Sequence, residues 1–195
     1  MSVQGTVTQS VEEIIRKHVA ENMLYTDGPL PIGLGQTISQ PYMVAAMTEM
    51  LELKGNENVF EVGTGSGYQA AVLGELAGTV HTVERHPELA SRASEVLSGL
   101  GYTNILVHVG DGTLGWPPAA PYDAIMVTAS APKVPPSLLE QLNPHGSLVL
   151  PVGGKGTQWL EFWQQEHGVW QSEEVMPVAF VPLRGAQGWA DWDDQ

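Results

Sequence analysis

The chain contains no cysteine, which excludes disulfide staples, a thiolate nucleophile and cysteine zinc ligands together. Positive charge is scarce as well. Against 22 Asp and Glu stand 8 Lys and Arg, a formal charge of −14 at pH 7. A phosphate backbone draws its affinity from cations, so nucleic acid is excluded as a partner. Long apolar runs are also missing: no stretch approaches the ~20 residues of a membrane-spanning helix. Glu12, Glu13, Arg16 and Lys17 interrupt the region where a secretory signal needs an apolar centre. The six histidines, at 18, 81, 86, 108, 145 and 167, show no paired metal-ligand spacing, and surface or strand-end roles are expected for them. No repeat or low-complexity block breaks the 195 residues, a length that suits one domain. What remains is a turn-rich folded protein with 22 Gly and 14 Pro. It is expected to be cytoplasmic, off the membrane and monomeric.

What is present alternates regularly. Ser10 and Glu13 form a capping-box pattern opening a helix over 11–24. Residues 25–40 are too rich in Gly and Pro for a helix and read as a structured loop. A second helix begins near Pro41, carries Met43, Met47, Met50 and Leu51 on one side, and runs to Gly55. Strand-like runs follow at Val59–Val62, Thr79–Glu84, Ile105–Val109, Ala124–Thr128 and Ser147–Val152. Helices over 67–77, 87–99 and 135–142 separate them. Apolar strands alternating with helices predict a doubly wound, mostly parallel α/β sheet of Rossmann-like type. Residues 157–182 are aromatic and alternating around His167-Gly168, which predicts an antiparallel hairpin at the sheet's edge. Trp159, Trp163 and Trp170 are assigned to packing there. The whole length is read as one domain: N-terminal helices and loop over 1–57, a ligand-binding core over 58–153, the hairpin over 154–183 and an acidic tail over 184–195. The part of the tail from Gly185 on is expected to be mobile.

Glu61-Val-Gly63-Thr-Gly65-Ser66-Gly67-Tyr68 follows a strand and opens a helix, the context of a nucleotide-binding turn. The dinucleotide fingerprint G-x-G-x-x-G requires a glycine where Tyr68 stands, which disfavours a nicotinamide oxidoreductase. Glu61, just ahead of the loop, would oppose a pyrophosphate and suits an ammonium or sulfonium ligand. Glu84 lies 21 positions after Gly63, where an acid can accept both ribose hydroxyls. Asp111, in Gly110-Asp111-Gly112, ends the third strand. Each acid alone reads equally well as a helix cap or a solvated loop end. Aligned at successive strand ends beside the glycine loop, they point to a ligand crevice.

This order resembles the S-adenosylmethionine-dependent methyltransferases, and further segments narrow it. PIGLGQTISQPY at 31–42, EVGTGSGY at 61–68, TVER at 82–85, GDG at 110–112, PYDAIMVTA at 121–129, LVLPVG at 148–153 and FVPL at 180–183 together resemble the protein-L-isoaspartate (D-aspartate) O-methyltransferase family over about residues 10 to 185. The QTISQP stretch is specific to that family; the glycine loop is shared by most methyltransferases of the fold.

The resemblance implies methyl transfer from S-adenosyl-L-methionine, leaving S-adenosyl-L-homocysteine, to the α-carboxylate of L-isoaspartyl and D-aspartyl residues in damaged peptides and proteins. A peptide carboxylate with pKa about 3–4 is already ionised at pH 7, so neither an activating base nor a metal is required. By the same resemblance Ser39 is the active-site serine. Its other reading is the N-cap of the helix at Pro41, and the two roles can coexist. Gln36, Thr37, Ile38 and Ser39, with Glu61, Gly63, Gly65, Ser66, Glu84, Arg85, Asp111 and Gly112, carry over as cofactor contacts, Arg85 through its backbone. Ala179 departs from several relatives, which have a larger or basic residue there. Two competing readings stay open: a same-fold carboxyl methyltransferase acting on an aspartate of a biosynthetic precursor peptide, and a non-catalytic S-adenosylmethionine-binding protein. Relatives of the first kind often carry a further C-terminal domain, whereas this chain stops at Gln195, so repair is the expectation.

Overall fold

The computed structural model describes residues 30–154 and 156–190; the helix expected over 11–24 lies outside them. In chain order the elements are β1 (Leu30–Gly33), β2 (Gln36–Ile38), α1 (Pro41–Met50), β3 (Asn58–Val62), α2 (Tyr68–Leu76), β4 (Thr79–Glu84), α3 (Pro87–Gly99), β5 (Ile105–Val109), β6 (Tyr122–Val127), α4 (Pro136–Gln141), β7 (Leu142–Gly153), β8 (Gln158–Glu166) and β9 (Val169–Val178). Seven strands form one sheet in the order β5-β4-β3-β6-β7-β8-β9. Pairings from β5 through β7 are parallel, and β8 and β9 add antiparallel as a hairpin. Among the described residues no helix is long and apolar enough to cross a membrane.

The central strands are apolar on both sides because both faces are covered. Alternation sends Phe60 and Val62 of β3 to one face, with Tyr122, Ile125, Leu138, Leu148 and Leu150. Val59 goes to the other, against Met47 and Leu51 from the α1 region, Leu73 of α2, and Val149 and Leu160. Glu61 shares the parity of Val59 and so enters this second apolar layer. Truncating Leu73 or Leu148, both fully buried, would cost about 2–5 kcal/mol.

Several boundaries differ from expectation. α1 ends at Met50 and not near Gly55, because the chain reverses through Glu52 at φ 49° and Gly55 at φ 107°. The Glu57 carboxylate stabilises that reversal by accepting from the N–H groups of Lys54, Gly55 and Asn56. Within the expected loop over 25–40, residues 30–38 form a two-stranded hairpin, β1 against β2. Its turn residues Leu34 and Gly35 take φ 53° and 71°. Positive φ at both central positions is the two-residue turn that matches strand twist. The tail is not mobile throughout: Trp189 N–H donates to Leu183 O at 2.8 Å and its indole Nε1 donates to Ser130 O at 2.9 Å.

His81 and His108, expected above in surface or strand-end roles, meet on adjacent strands with Nδ1 and Nε2 3.1 Å apart. Trp116 stacks on His108 with ring centroids at 4.2 Å, and Tyr122 stacks on Phe60 at 5.0 Å. Burial lowers the pKa of both imidazoles, and for His108 the facing His81 adds to it.

Candidate active site

β3 and β6 are neighbours in the sheet, yet the chain leaves β3 toward β4 on one side and reaches β6 from the other. That is the switch point where open α/β sheets hold ligands. Thr128, just past β6, closes the gap: its N–H donates to Val62 O at 2.9 Å and its hydroxyl to Val62 O and Gly63 O at 3.0 and 2.8 Å. Gly63 sits at φ 98°, and a Cβ there would collide with the Thr128 hydroxyl, so only glycine fits. Gly63 N–H donates to Val83 O at 2.9 Å, which ties the loop to β4 as well.

The acids behave differently from one another. Glu84 braces the loop, its Oε2 accepting from Gly65 N–H and its Oε1 from His86 N–H, both at 3.0 Å. Glu61 is fully buried, with no hydrogen-bond partner on either carboxylate oxygen. The Thr82 hydroxyl beside it is engaged with Thr64 Oγ1 at 2.6 Å. Burial pushes the Glu61 carboxyl up to about 8; Glu84 adds to the rise and the nearby Thr82 hydroxyl offsets part of it. Asp111 caps a short 3-10 turn over Gly112–Leu114, with Oδ1 accepting from Thr113 N–H at 2.9 Å and from its hydroxyl at 2.6 Å. Its Oδ2 accepts Ala186 N–H at 2.7 Å, so the C-terminal segment lies directly on this acid.

A cavity of about 440 Å³ is lined by Thr37, Ser39, Gln40, Met43, Thr128 and residues 177–181. A smaller space of about 40 Å³ adjoins it, lined by Thr37, Ser39, Gly63, Gly65, Ser66, Tyr68 and Thr128 among others. Thr37, Ser39 and Thr128 face both. The expected residues Thr37, Ser39, Gly63, Gly65 and Ser66 are therefore brought together; Glu84 braces the loop and Glu61 lies in the strand before it, and neither acid lines either space. Gln36, whose amide donates to Leu34 O at 3.3 Å, Arg85, which is exposed, Asp111 and Gly112 line neither space. Ile38 contributes its backbone to β2. The helix α1 is capped at Gln40 and no side chain caps it, so the capping role for Ser39 is not realised.

Thr128 and Met43 are not among the residues expected at the site, and of the 177–181 wall the resemblance marks only Ala179 and the FVPL stretch that begins at Phe180. Thr128 matters because β6 lies beside β3, a fact of topology. The wall is held from afar: Gln158 brackets Phe180, donating to its carbonyl at 3.0 Å and accepting its N–H at 2.6 Å, and Ser130 N–H donates to Val181 O at 2.8 Å. Among the described residues no group of three or more His, Asp or Glu could hold a metal.

Two buried carboxylates beneath a glycine turn reject a pyrophosphate and complement a cationic ligand bearing hydroxyls. The unpartnered oxygens of Glu61 are the observation that fits S-adenosylmethionine, whose sulfonium and ammonium are positive. Fold and site together define a Rossmann-like methyltransferase. Residues 1–188 match the pattern of the protein-L-isoaspartate (D-aspartate) O-methyltransferase family, and the chain belongs to that family. It is 55% identical over 190 residues to protein-L-isoaspartate O-methyltransferase 2 of Pelobacter propionicus, covering 96% of this chain and 84% of that protein. With the protein-L-isoaspartate O-methyltransferase of Trichlorobacter lovleyi it shares 54% over 195 residues, covering 95% and 90%. A Plasmodium falciparum protein assigned to the same activity and solved in complex with S-adenosyl-L-homocysteine superposes with a TM-score of 0.73 at 23% identity, covering 91% of this chain and 97% of that one. Another solved protein-L-isoaspartate O-methyltransferase gives 0.77 at 23% identity, covering 95% and 67%.

Proposed function

We propose that this chain is a repair enzyme that methylates the α-carboxylate of L-isoaspartyl and D-aspartyl residues in damaged peptides and proteins, using S-adenosyl-L-methionine and releasing S-adenosyl-L-homocysteine. The observation that carries the reading is a cavity of about 440 Å³ that opens beside an acid-braced glycine loop and shares Ser39 with it, in a chain of this family. When bound, the donor supplies an electrophilic methyl group. Glu61, Gly63, Gly65, Ser66 and Glu84 would hold it from the sheet side, and Gln36, Thr37, Ile38 and Ser39 from the hairpin side. The Arg85 backbone, Asp111 and Gly112 complete the crevice along the strand ends.

The acceptor carboxylate is ionised at neutral pH, so no residue here has to take a proton. Ser39 orients it: the residue lines both spaces and its side chain does not cap α1. Met43, Val178 and Phe180 supply an apolar wall that strips water from the carboxylate, and Ala179 leaves room for a peptide main chain. We place the protein in the cytoplasm as a monomer without nucleic-acid or membrane partners, and we read the chain as one catalytic domain.

The test incubates the protein with methyl-labelled S-adenosylmethionine and two peptides differing only in Asp or isoAsp at one position. Label should enter the isoAsp peptide alone. Label on neither sinks the reading, and label on the Asp peptide alone transfers the enzyme to a different carboxyl methyltransferase class.

A further inference from the structure

Gly63 opens the glycine turn, and the turn is fastened unequally on its two flanks. Toward β4 it has three hydrogen bonds: Gly63 N–H to Val83 O at 2.9 Å, Thr64 Oγ1 with Thr82 Oγ1 at 2.6 Å, and Gly65 N–H to Glu84 Oε2 at 3.0 Å. Toward β6 it has one among the described residues, from the Thr128 hydroxyl to Gly63 O at 2.8 Å. That hydroxyl also lies 3.0 Å from Val62 O, which already accepts the Thr128 N–H at 2.9 Å. A threonine hydroxyl has a single proton, so the carbonyl that depends on it is Gly63 O. The two residues are in direct contact, since a Cβ on Gly63 would collide with Thr128 Oγ1.

We infer that Thr128 is a positioning residue for methyl transfer: its hydroxyl holds the Gly63 carbonyl and so fixes where the turn presents the methyl donor to the acceptor. The inference rests on the function proposed above and adds to it a residue at the boundary between the two reactants. Thr128 lines both spaces, together with Thr37 and Ser39, so it stands where the larger cavity meets the smaller space beside the turn. The reaction has to cross that boundary. An oxygen of the acceptor carboxylate bonds to the methyl carbon while the carbon–sulfur bond breaks and its electron pair stays on sulfur; no proton moves. Such a displacement needs oxygen, carbon and sulfur in line with the reacting atoms about 3–3.5 Å apart, and a misplacement of ~1 Å costs about a hundredfold in rate. Without the Thr128 hydroxyl, three ties to β4 keep the turn folded, but it is free to lean on the flank where Thr128 borders the acceptor cavity.

A structural role and a positioning role leave different signatures. If Thr128 only supported the fold, its loss would lower the melting temperature and loosen the cofactor, and turnover at saturating donor would hold wherever the protein stays folded. Positioning gives the opposite split. The rate constant kcat falls, while KM for the peptide and the dissociation constant for the cofactor hold, because the lost alignment matters in the transition state and not in the ground state.

The experiment compares Thr128→Ala with Thr128→Ser in the intact protein, a pair that differs by the hydroxyl alone. Labelled-methyl transfer to an isoaspartyl peptide is followed at saturating S-adenosylmethionine, and calorimetry gives the dissociation constant for S-adenosylhomocysteine. Thr128→Ala should lower kcat by about ten- to a hundredfold, with the peptide KM and the dissociation constant within about threefold of the parent, and Thr128→Ser should recover most of the rate. Thr128→Val, which keeps the side-chain volume, should lose at least as much as Thr128→Ala and replaces it if the smaller variant does not fold. Equal turnover in the alanine and serine variants overturns the positioning role and leaves the function standing. So does a loss confined to the melting temperature, or a dissociation constant that rises as far as kcat falls. A parent protein that binds S-adenosylhomocysteine but labels no isoaspartyl peptide overturns the function itself, and the positioning role with it.

Discussion

The two ends of the parallel sheet are built on opposite rules. At the amino ends of the strands polar groups find one another. Asn58 N–H donates to Asp123 Oδ2 at 2.8 Å and its amide to Ala119 O and Pro121 O at 2.8 and 3.0 Å, while Asn143 donates to Asp123 Oδ1. Asn104 likewise closes the turn after α2 by donating to Gly74 O at 2.8 Å. At the carboxyl ends the pairing stops short. Glu61 has no partner, the Tyr68 hydroxyl is buried without one, and burial pushes that phenol up to about 12. The lesson is that one edge is spent on stability, and the other keeps polar capacity in reserve for a ligand.

Substitutions on the two edges should separate these jobs. The largest effect is expected from Ser39→Ala, which removes a preorganised donor from the carboxyl-end cavity: turnover on an isoaspartyl peptide should fall by about one to three orders of magnitude. Because Gln40 holds the N-cap position of α1 and no side chain caps the helix, the melting temperature should stay within error of the parent. Normal turnover with a lowered melting temperature would restore the capping role.

Glu84→Ala comes next and breaks the clean division. It should raise the dissociation constant for S-adenosylmethionine about tenfold or more, since charge-assisted hydrogen bonds contribute roughly 1.5–3 kcal/mol. The sequence alone implies an intact fold for this variant; the structure adds a stability loss, because the N–H groups of Gly65 and His86 lose their acceptor. Denaturant unfolding checks this, and Glu84→Gln, which keeps an acceptor, should recover part of both losses.

At the amino end Asp123→Ala should do the reverse. It strands Asn58 N–H and the Asn143 amide, costing about 1–3 kcal/mol of unfolding free energy, with the donor affinity of the folded protein unchanged. An altered dissociation constant would show that the edges are coupled.

The smallest effect lies mid-sheet, at the His81–His108 pair. Their lowered pKa means that the folded state refuses protons which the unfolded chain accepts below about 6.5, so the stability present above that pH is lost on acidification. His81→Gln removes one such site. Between pH 6.5 and about 5 the variant should lose less stability than the parent, and parallel curves would show that His81 takes up protons alike in the folded and unfolded states.

Legibility in the sequence followed the range of the interactions that decide each feature. β4, β5 and α3 coincide with expectation because their signals are local: apolar, β-branched-rich strands for the first two, and an apolar helical stripe started by Pro87 and stopped by Gly101 for the third. The β1–β2 hairpin escaped because its turn is Leu34-Gly35, and a leucine at positive φ is not a turn signal. The glycine loop and its two acids were legible as a motif. Thr128 was not, since strand order puts it there, and the FVPL stretch marked Phe180 without showing that a glutamine 22 residues away holds it. His81 and His108 lack metal spacing along the chain, yet on neighbouring strands β4 and β5, where His108 pairs with Val83 two residues on from His81, their rings meet.

The contact between Ala186 and Asp111 spans 75 residues of chain, and it sets an order of events during synthesis. A ribosome delivers the amino-terminal part first, so β3 to β6 and the glycine loop can assemble while residues 183–190 are still unmade. A nascent chain stalled before Leu183 would own its parallel strands and lack the amide that fixes Asp111, the hydrogen bond from Trp189 to Ser130 and the finished rim. The fixing of Asp111 therefore follows the assembly of the parallel strands.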